Sequence, residues 1–124
     1  MIRLPHPIFV LGYVVMLSAV VFLSLIPAPG LGAPEGSDKA AHLIAYGAVA
    51  FSAGLGFATW KTRSVAGLAA VLVGVALELA QAAWFVRNGS VWDAVANTLG
   101  VSLGLAGAGL VLMLAARFIG TRNA

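Results

Sequence analysis

The feature that most limits what this chain can fold into is a series of four apolar runs, each about as long as a membrane-crossing helix. Such a helix needs about 20 predominantly apolar residues to cross the hydrocarbon core. Residues 8–26, 38–60, 64–86 and 91–116 meet that requirement. Pro27 and Pro29 stop the first run, Lys61-Thr62-Arg63 separates the second from the third, and Arg87-Asn88-Gly89 separates the third from the fourth. Connectors this short place consecutive helices side by side and antiparallel. The expected fold is therefore all-α: an integral membrane bundle of four antiparallel transmembrane helices, one domain over residues 1–124. The stretch 27–37, rich in Pro and Gly, is the one connection of any length.

Composition supports lipid as the solvent. Of the 124 residues, 61% are hydrophobic and 9% charged, whereas a soluble domain carries roughly 25% charged residues. A core this small could not hide that much apolar surface. Cysteine is absent, which excludes disulfides, thiol catalysis, thiolate metal sites and a palmitoylated or lipoprotein cysteine. The net charge of +3 sits at the helix ends without a long basic run. That pattern suits topology and lipid head groups and argues against a nucleic-acid partner. Arg3 and the Leu31-Gly32-Ala33 tripeptide give the first run some likeness to a signal peptide. Its apolar stretch is longer than the roughly 7–15 residues of such a core, and Pro34 would follow the cut, so a retained helix is expected.

The charges orient the bundle. Arg3 precedes the first run, Lys61 and Arg63 lie between the second and third, and Arg117 and Arg122 follow the fourth. At the other end Glu35, Asp38, Lys39, Arg87 and Asp93 nearly cancel. Lys and Arg favour cytoplasmic loops, so both termini and the middle loop are expected in the cytoplasm. Trp60, Trp84, Trp92 and Tyr13 fall near the ends of the proposed spans, where amphipathic rings prefer to sit.

Most intramembrane polar residues then gather at the outer, non-cytoplasmic end. Asp38, His42 and Tyr46 are spaced i, i+4, i+8 on one face of the second helix, with Lys39 beside them. Glu78 and Gln81 follow on the third. Glu78 precedes Arg87 by nine residues, or roughly 13 Å at 1.5 Å rise per residue. A carboxylate at that depth costs on the order of 3 kcal/mol, so it should face the bundle interior beside Lys39, Arg87, His42 or a proton of its own. Arg87, Asp93 and Asn97 complete the candidate binding set of Asp38, Lys39, His42, Tyr46, Glu78, Gln81, Arg87, Asp93 and Asn97. Structural roles compete for several of these. Ser37 or Asp38 can cap the second helix, and Ser90 with Asp93 nearly forms a capping box for the fourth. Lys39 and Arg87 can snorkel to phosphates. Asp93, Asn97, Gly100, Gly104 and Gly107 share a face that lets a neighbouring helix pack closely. No cofactor is expected, and no metal: His42 would need Glu78 and Asp93 as co-ligands, and His6 lies at the other end.

Three blocks resemble the VanZ-like family of small bacterial membrane proteins. They are Asp38-Lys39-Ala40-Ala41-His42 with Tyr46; Glu78-Leu79-Ala80-Gln81; and Arg87-x-x-Ser90-x-x-Asp93-x-x-x-Asn97-Thr98-Leu99-Gly100. The resemblance implies a multi-pass envelope protein of the bacterial cytoplasmic (inner) membrane, related to one that gives low-level teicoplanin resistance. It implies no reaction, substrate or catalytic residue.

Four functions compete. The first is a module that binds or handles a polar or anionic envelope lipid, a lipid-linked precursor or a glycopeptide-related ligand, with membrane lipids as partners. The second is a structural or assembly subunit whose polar cluster only locks the helices. The third is an intramembrane enzyme acting on an envelope lipid, with His42 as acid or base and Ser90 or Tyr46 as nucleophile. The fourth is a proton-coupled transporter using Glu78, which would need a homodimer to enclose a path.

Overall fold

The computed structural model describes residues 7–26, 36–84 and 90–122. They form four helices and no strand: α1 (Pro7–Leu25), α2 (Ser37–Gly56), α3 (Trp60–Trp84) and α4 (Val91–Arg122). The helices run up and down. At one end Ser52 of α2 donates to the Phe9 carbonyl of α1 at 3.3 Å. Tyr13 Oη of α1 donates to the Ala66 carbonyl of α3 at 3.0 Å. At the other end Gln81 Nε2 of α3 donates to the Ser24 carbonyl of α1 at 2.7 Å, and His42 of α2 meets Asn97 of α4 at 2.8 Å. The ends of α1 and α3 thus join the starts of α2 and α4, the antiparallel order expected.

Three helices are long and apolar enough to cross a membrane: Pro7–Leu25, Trp60–Trp84 and Val91–Gly120, with mean hydropathies of 2.6, 1.9 and 2.1. Large apolar side chains cover the outside, among them Ile8, Leu11, Phe22, Leu72, Leu79 and Leu103. An exposed apolar surface this extensive calls for lipid or another protein rather than water. α2 is the least lipid-like of the four and the most enclosed. Asp38, Lys39 and His42 fall in its first turns, while Tyr46, Val49, Ala50, Ala53 and Leu55 are buried among its neighbours.

The α2–α4 contact is the tightest in the bundle. A Cβ added at Gly100 would run into the Leu43 carbonyl, one at Gly104 into the Gly47 carbonyl, and one at Gly54 into the Ala108 side chain. Backbone therefore lies against backbone along this seam. Where lipid supplies no hydrophobic drive between helices, small residues gain attraction by close approach. Tyr13, Tyr46, Val49, Ala50, Ala53, Ala66, Ala70 and Val101 make the core around it.

The helix ends differ from those read in the sequence. α2 stops at Gly56 rather than residue 60, and α3 begins at Trp60 rather than residue 64, so Lys61-Thr62-Arg63 forms the first turn of α3 instead of a connector. Thr59 and Thr62 make a reciprocal cap. Thr62 N–H donates to Thr59 Oγ1 and Thr59 N–H to Thr62 Oγ1, each at 3.2 Å. This is a capping box with Thr in the place of the usual Glu or Gln. Arg63 Nε donates to the Phe57 carbonyl at 2.8 Å across the turn. α4 runs on through Arg117 to Arg122, placing both arginines inside the helix rather than after it. Tyr13 is buried within the bundle, tied to the Ala66 carbonyl.

The seam makes a direct prediction. Gly104→Leu should destabilise the purified protein by roughly 1–3 kcal/mol or more, as overpacked cores do. Gly120→Leu, which meets nothing within 4 Å, should be near neutral. Unfolding of both variants in mild detergent by a titrated denaturing detergent measures the difference.

Candidate functional site

α2 enters the bundle through Gly36, whose φ of 85° takes the left-handed conformation that glycine adopts without strain. The N-cap position is Gly36 itself, so neither Ser37 nor Asp38 stands at that position. Asp38 in the first turn does lie where a helix N-terminus favours negative charge. One turn on, His42 Nε2 lies 3.8 Å from Asp38 Oδ1. A further turn on, Tyr46 stacks parallel to the His42 ring with centroids 6.3 Å apart. The i, i+4, i+8 face is realised as read.

His42 is the hub. Its Nδ1 lies 2.8 Å from Asn97 Oδ1. An amide carbonyl only accepts, so Nδ1 is the donor to Asn97, and Nε2 faces Asp38. Glu78 Oε1 stands 4.0 Å from the same Nδ1. Its other oxygen, Oε2, accepts the backbone N–H of Ser90 at 2.9 Å. Glu78 is 9% exposed, so its carboxylate faces inward as depth demands.

That last bond changes the start of α4. Ser90 caps α4, its Oγ accepting the Trp92 N–H at 3.2 Å. In a complete box Asp93 would accept the Ser90 N–H, but Glu78 of α3 takes it instead. Asp93 is released from capping. It is 3% exposed, and its Oδ1 has no hydrogen-bond partner among the described residues. Asn97, 2% exposed, likewise leaves Nδ2 without a partner.

A cleft of about 180 Å³ opens onto this cluster between α1 and α2. Val20 and Leu23 of α1 with Ala41 and Ala45 of α2 form its apolar walls, and Asp38, His42, Tyr46 and Ser24 supply polarity. A groove of about 310 Å³ lies on the far side of Glu78, lined by Val75, Leu79, Ser90, Val91 and Ala94 among others.

The nine sequence candidates divide. Asp38, His42, Tyr46, Glu78, Asp93 and Asn97 come together. Gln81 does not join them: it is spent on the Ser24 carbonyl and ties α3 to α1. Lys39 also stands apart, in a groove with Leu43, Trp92, Val95 and Leu99 on another face of α2. Its neighbour Asp38 turns toward His42, and successive residues on a helix do not share a face. Arg87 lies outside the described residues, as do Glu35 and most of the 27–37 loop. The assembled set is acidic, with three carboxylates around one imidazole, and no Lys or Arg among the described residues lines the cleft. Its candidate metal ligands are Asp38, His42 and Asp93 rather than His42, Glu78 and Asp93.

Gly74 was not among the sequence candidates. A Cβ there would lie 2.8 Å from Asn97 Nδ2 and 2.9 Å from Tyr46 Oη, so a larger residue would have to push these groups aside. Its position one turn before Glu78 on α3 was the available signal.

Glu78 offers a test of its two roles. Glu78→Gln keeps an oxygen for the Ser90 N–H and should leave stability near wild type. Glu78→Ala strands that N–H and should cost about 1–3 kcal/mol. Detergent unfolding of the two variants distinguishes them.

Compared with protein-family models, curated proteins and solved structures, the chain matches none.

Proposed function

We propose that the chain is a VanZ-like, four-pass protein of the bacterial cytoplasmic membrane, with both termini cytoplasmic, whose outer polar cluster binds the head of a polar or anionic envelope lipid. A lipid-linked envelope precursor is the leading ligand class. The supporting observation is the cleft between α1 and α2, where Val20 and Leu23 stand beside Asp38 and His42. Apolar walls next to convergent polar groups suit an amphiphile, the chain along one and the head on the other. The four-pass assignment rests on the three apolar helices enclosing α2 and on the basic residues at the opposite end.

The structural reading has its own support. Gln81 and Glu78 both satisfy backbone groups of neighbouring helices. Catalysis finds less support, because the Ser90 hydroxyl is engaged in the α4 cap and Tyr46 is 2% exposed.

Topology can be measured directly, since the chain has no cysteine of its own. Single cysteines placed at Glu35 and Asn88 should react with an impermeant maleimide in spheroplasts, and one at Asn123 should not. Reaction at Asn123 alone would invert the orientation and place the cluster on the cytoplasmic side.

Binding is tested with purified protein in nanodiscs and a polyprenyl phosphate, read by native mass spectrometry. His42→Ala should weaken binding about tenfold or more, and Lys39→Ala by less than about twofold. In cells, Glu78→Gln and Arg87→Ala should disturb a cell-envelope phenotype, including glycopeptide sensitivity. Normal phenotype at normal expression in both, with unchanged lipid occupancy in His42→Ala, removes the proposal.

A further inference from the structure

We infer that Asp38, His42 and Asp93 form a binding site for a divalent cation of the zinc class. One ligand atom from each lies within 4.8 Å of the others. Ligand atoms around a four-coordinate zinc with bonds of about 2.0–2.2 Å stand roughly 3.3–3.6 Å apart, so an ion would draw the farthest pair in by up to about 1.5 Å. His42 Nε2 and Asp38 Oδ1 are already 3.8 Å apart.

Two further observations point to an ion. The first is Asp93. Its position in the first turn of α4 suits a negative charge, but the helix does not supply its Oδ1 with a hydrogen-bond donor. A carboxylate oxygen buried without a partner is unfavourable. A cation beside it offsets that cost. The second is the surroundings of His42. Metal-bound histidines donate their other ring N–H to a carbonyl or carboxylate, which fixes the tautomer and aims the lone pair. Here Asn97 Oδ1 receives Nδ1–H at 2.8 Å, with Glu78 Oε1 at 4.0 Å behind it. Nε2 thereby faces Asp38, where a bound ion would take its lone pair.

Two carboxylates and an imidazole select zinc or manganese over magnesium, which prefers oxygen ligands and retains its water. Three protein ligands leave a coordination position open. Because Asp38 and His42 line the α1–α2 cleft, that position lies at the cleft. In this respect the site deepens the lipid-binding reading and rests on it: a bound cation gives an acidic cleft an attraction for a phosphate oxygen.

The test is a titration of the intact, chelator-treated protein in detergent with Co2+ and Zn2+, without lipid. Visible d–d absorption that saturates near one equivalent of Co2+ and is displaced by Zn2+ is expected. Asp93→Asn and His42→Gln should each weaken Zn2+ binding about tenfold or more, and Lys39→Gln should not. Absence of saturable absorption in the wild-type protein overturns the site whether or not the variants fold. So does undiminished Zn2+ affinity in both variants. Polyprenyl phosphate and inorganic phosphate are then added with and without Zn2+. Zn2+ binding without any effect on lipid affinity upholds the metal site and removes the lipid reading. Lipid binding that persists in a chain unable to hold Zn2+ does the reverse.

Discussion

The close approach of α2 and α4 is the constraint on which the rest depends. Gly47 and Gly54 on one side, with Gly100, Gly104 and Ala108 on the other, bring two backbones together without intervening side chains. That distance lets Asn97, a short side chain one turn before Gly100, reach the ring of His42. The polar cluster is thus a product of the apolar seam below it. Larger residues along the seam would part the helices and pull Asn97 from His42 before any polar residue had changed.

Around this seam the bundle divides its polar work by end. At the end where the chain enters α1, Tyr13 and Ser52 each satisfy a backbone carbonyl of a neighbouring helix. Those bonds join helices and leave nothing over. At the opposite end Gln81 and Glu78 do similar joining, but Asp93 Oδ1 and Asn97 Nδ2 have no hydrogen-bond partner among the described residues. A buried network that is only partly satisfied is costly as a structural element. The unpartnered polar atoms among the described residues lie at that one end of the molecule.

Much of this was legible in the sequence because it depends on spacing along single helices. The face shared by Asp38, His42 and Tyr46, the inward Glu78 and the small-residue face of α4 all follow from the 3.6-residue turn. What spacing cannot convey is which helix a side chain finds. Gln81 sits one turn from Glu78 yet reaches α1, and Lys39 sits beside Asp38 yet faces a different groove. The α2–α3 boundary was misplaced for a local reason. Trp60 and the basic triplet read as the edge of an apolar span, while the Thr59–Thr62 pair was the stronger helix-start signal. The exchange of capping partners between Asp93 and Glu78 had no sequence signature, since it needs the end of α3 folded against the start of α4.

That exchange bears on how the molecule assembles. The opening turn of α4 receives one of its hydrogen-bond acceptors from α3, and the carboxylate of α3 finds its shelter in α4. Each helix alone would enter the bilayer with a deficit that only the other removes. As a hairpin they conceal both at once. The pair should therefore partition into lipid as one cooperative body.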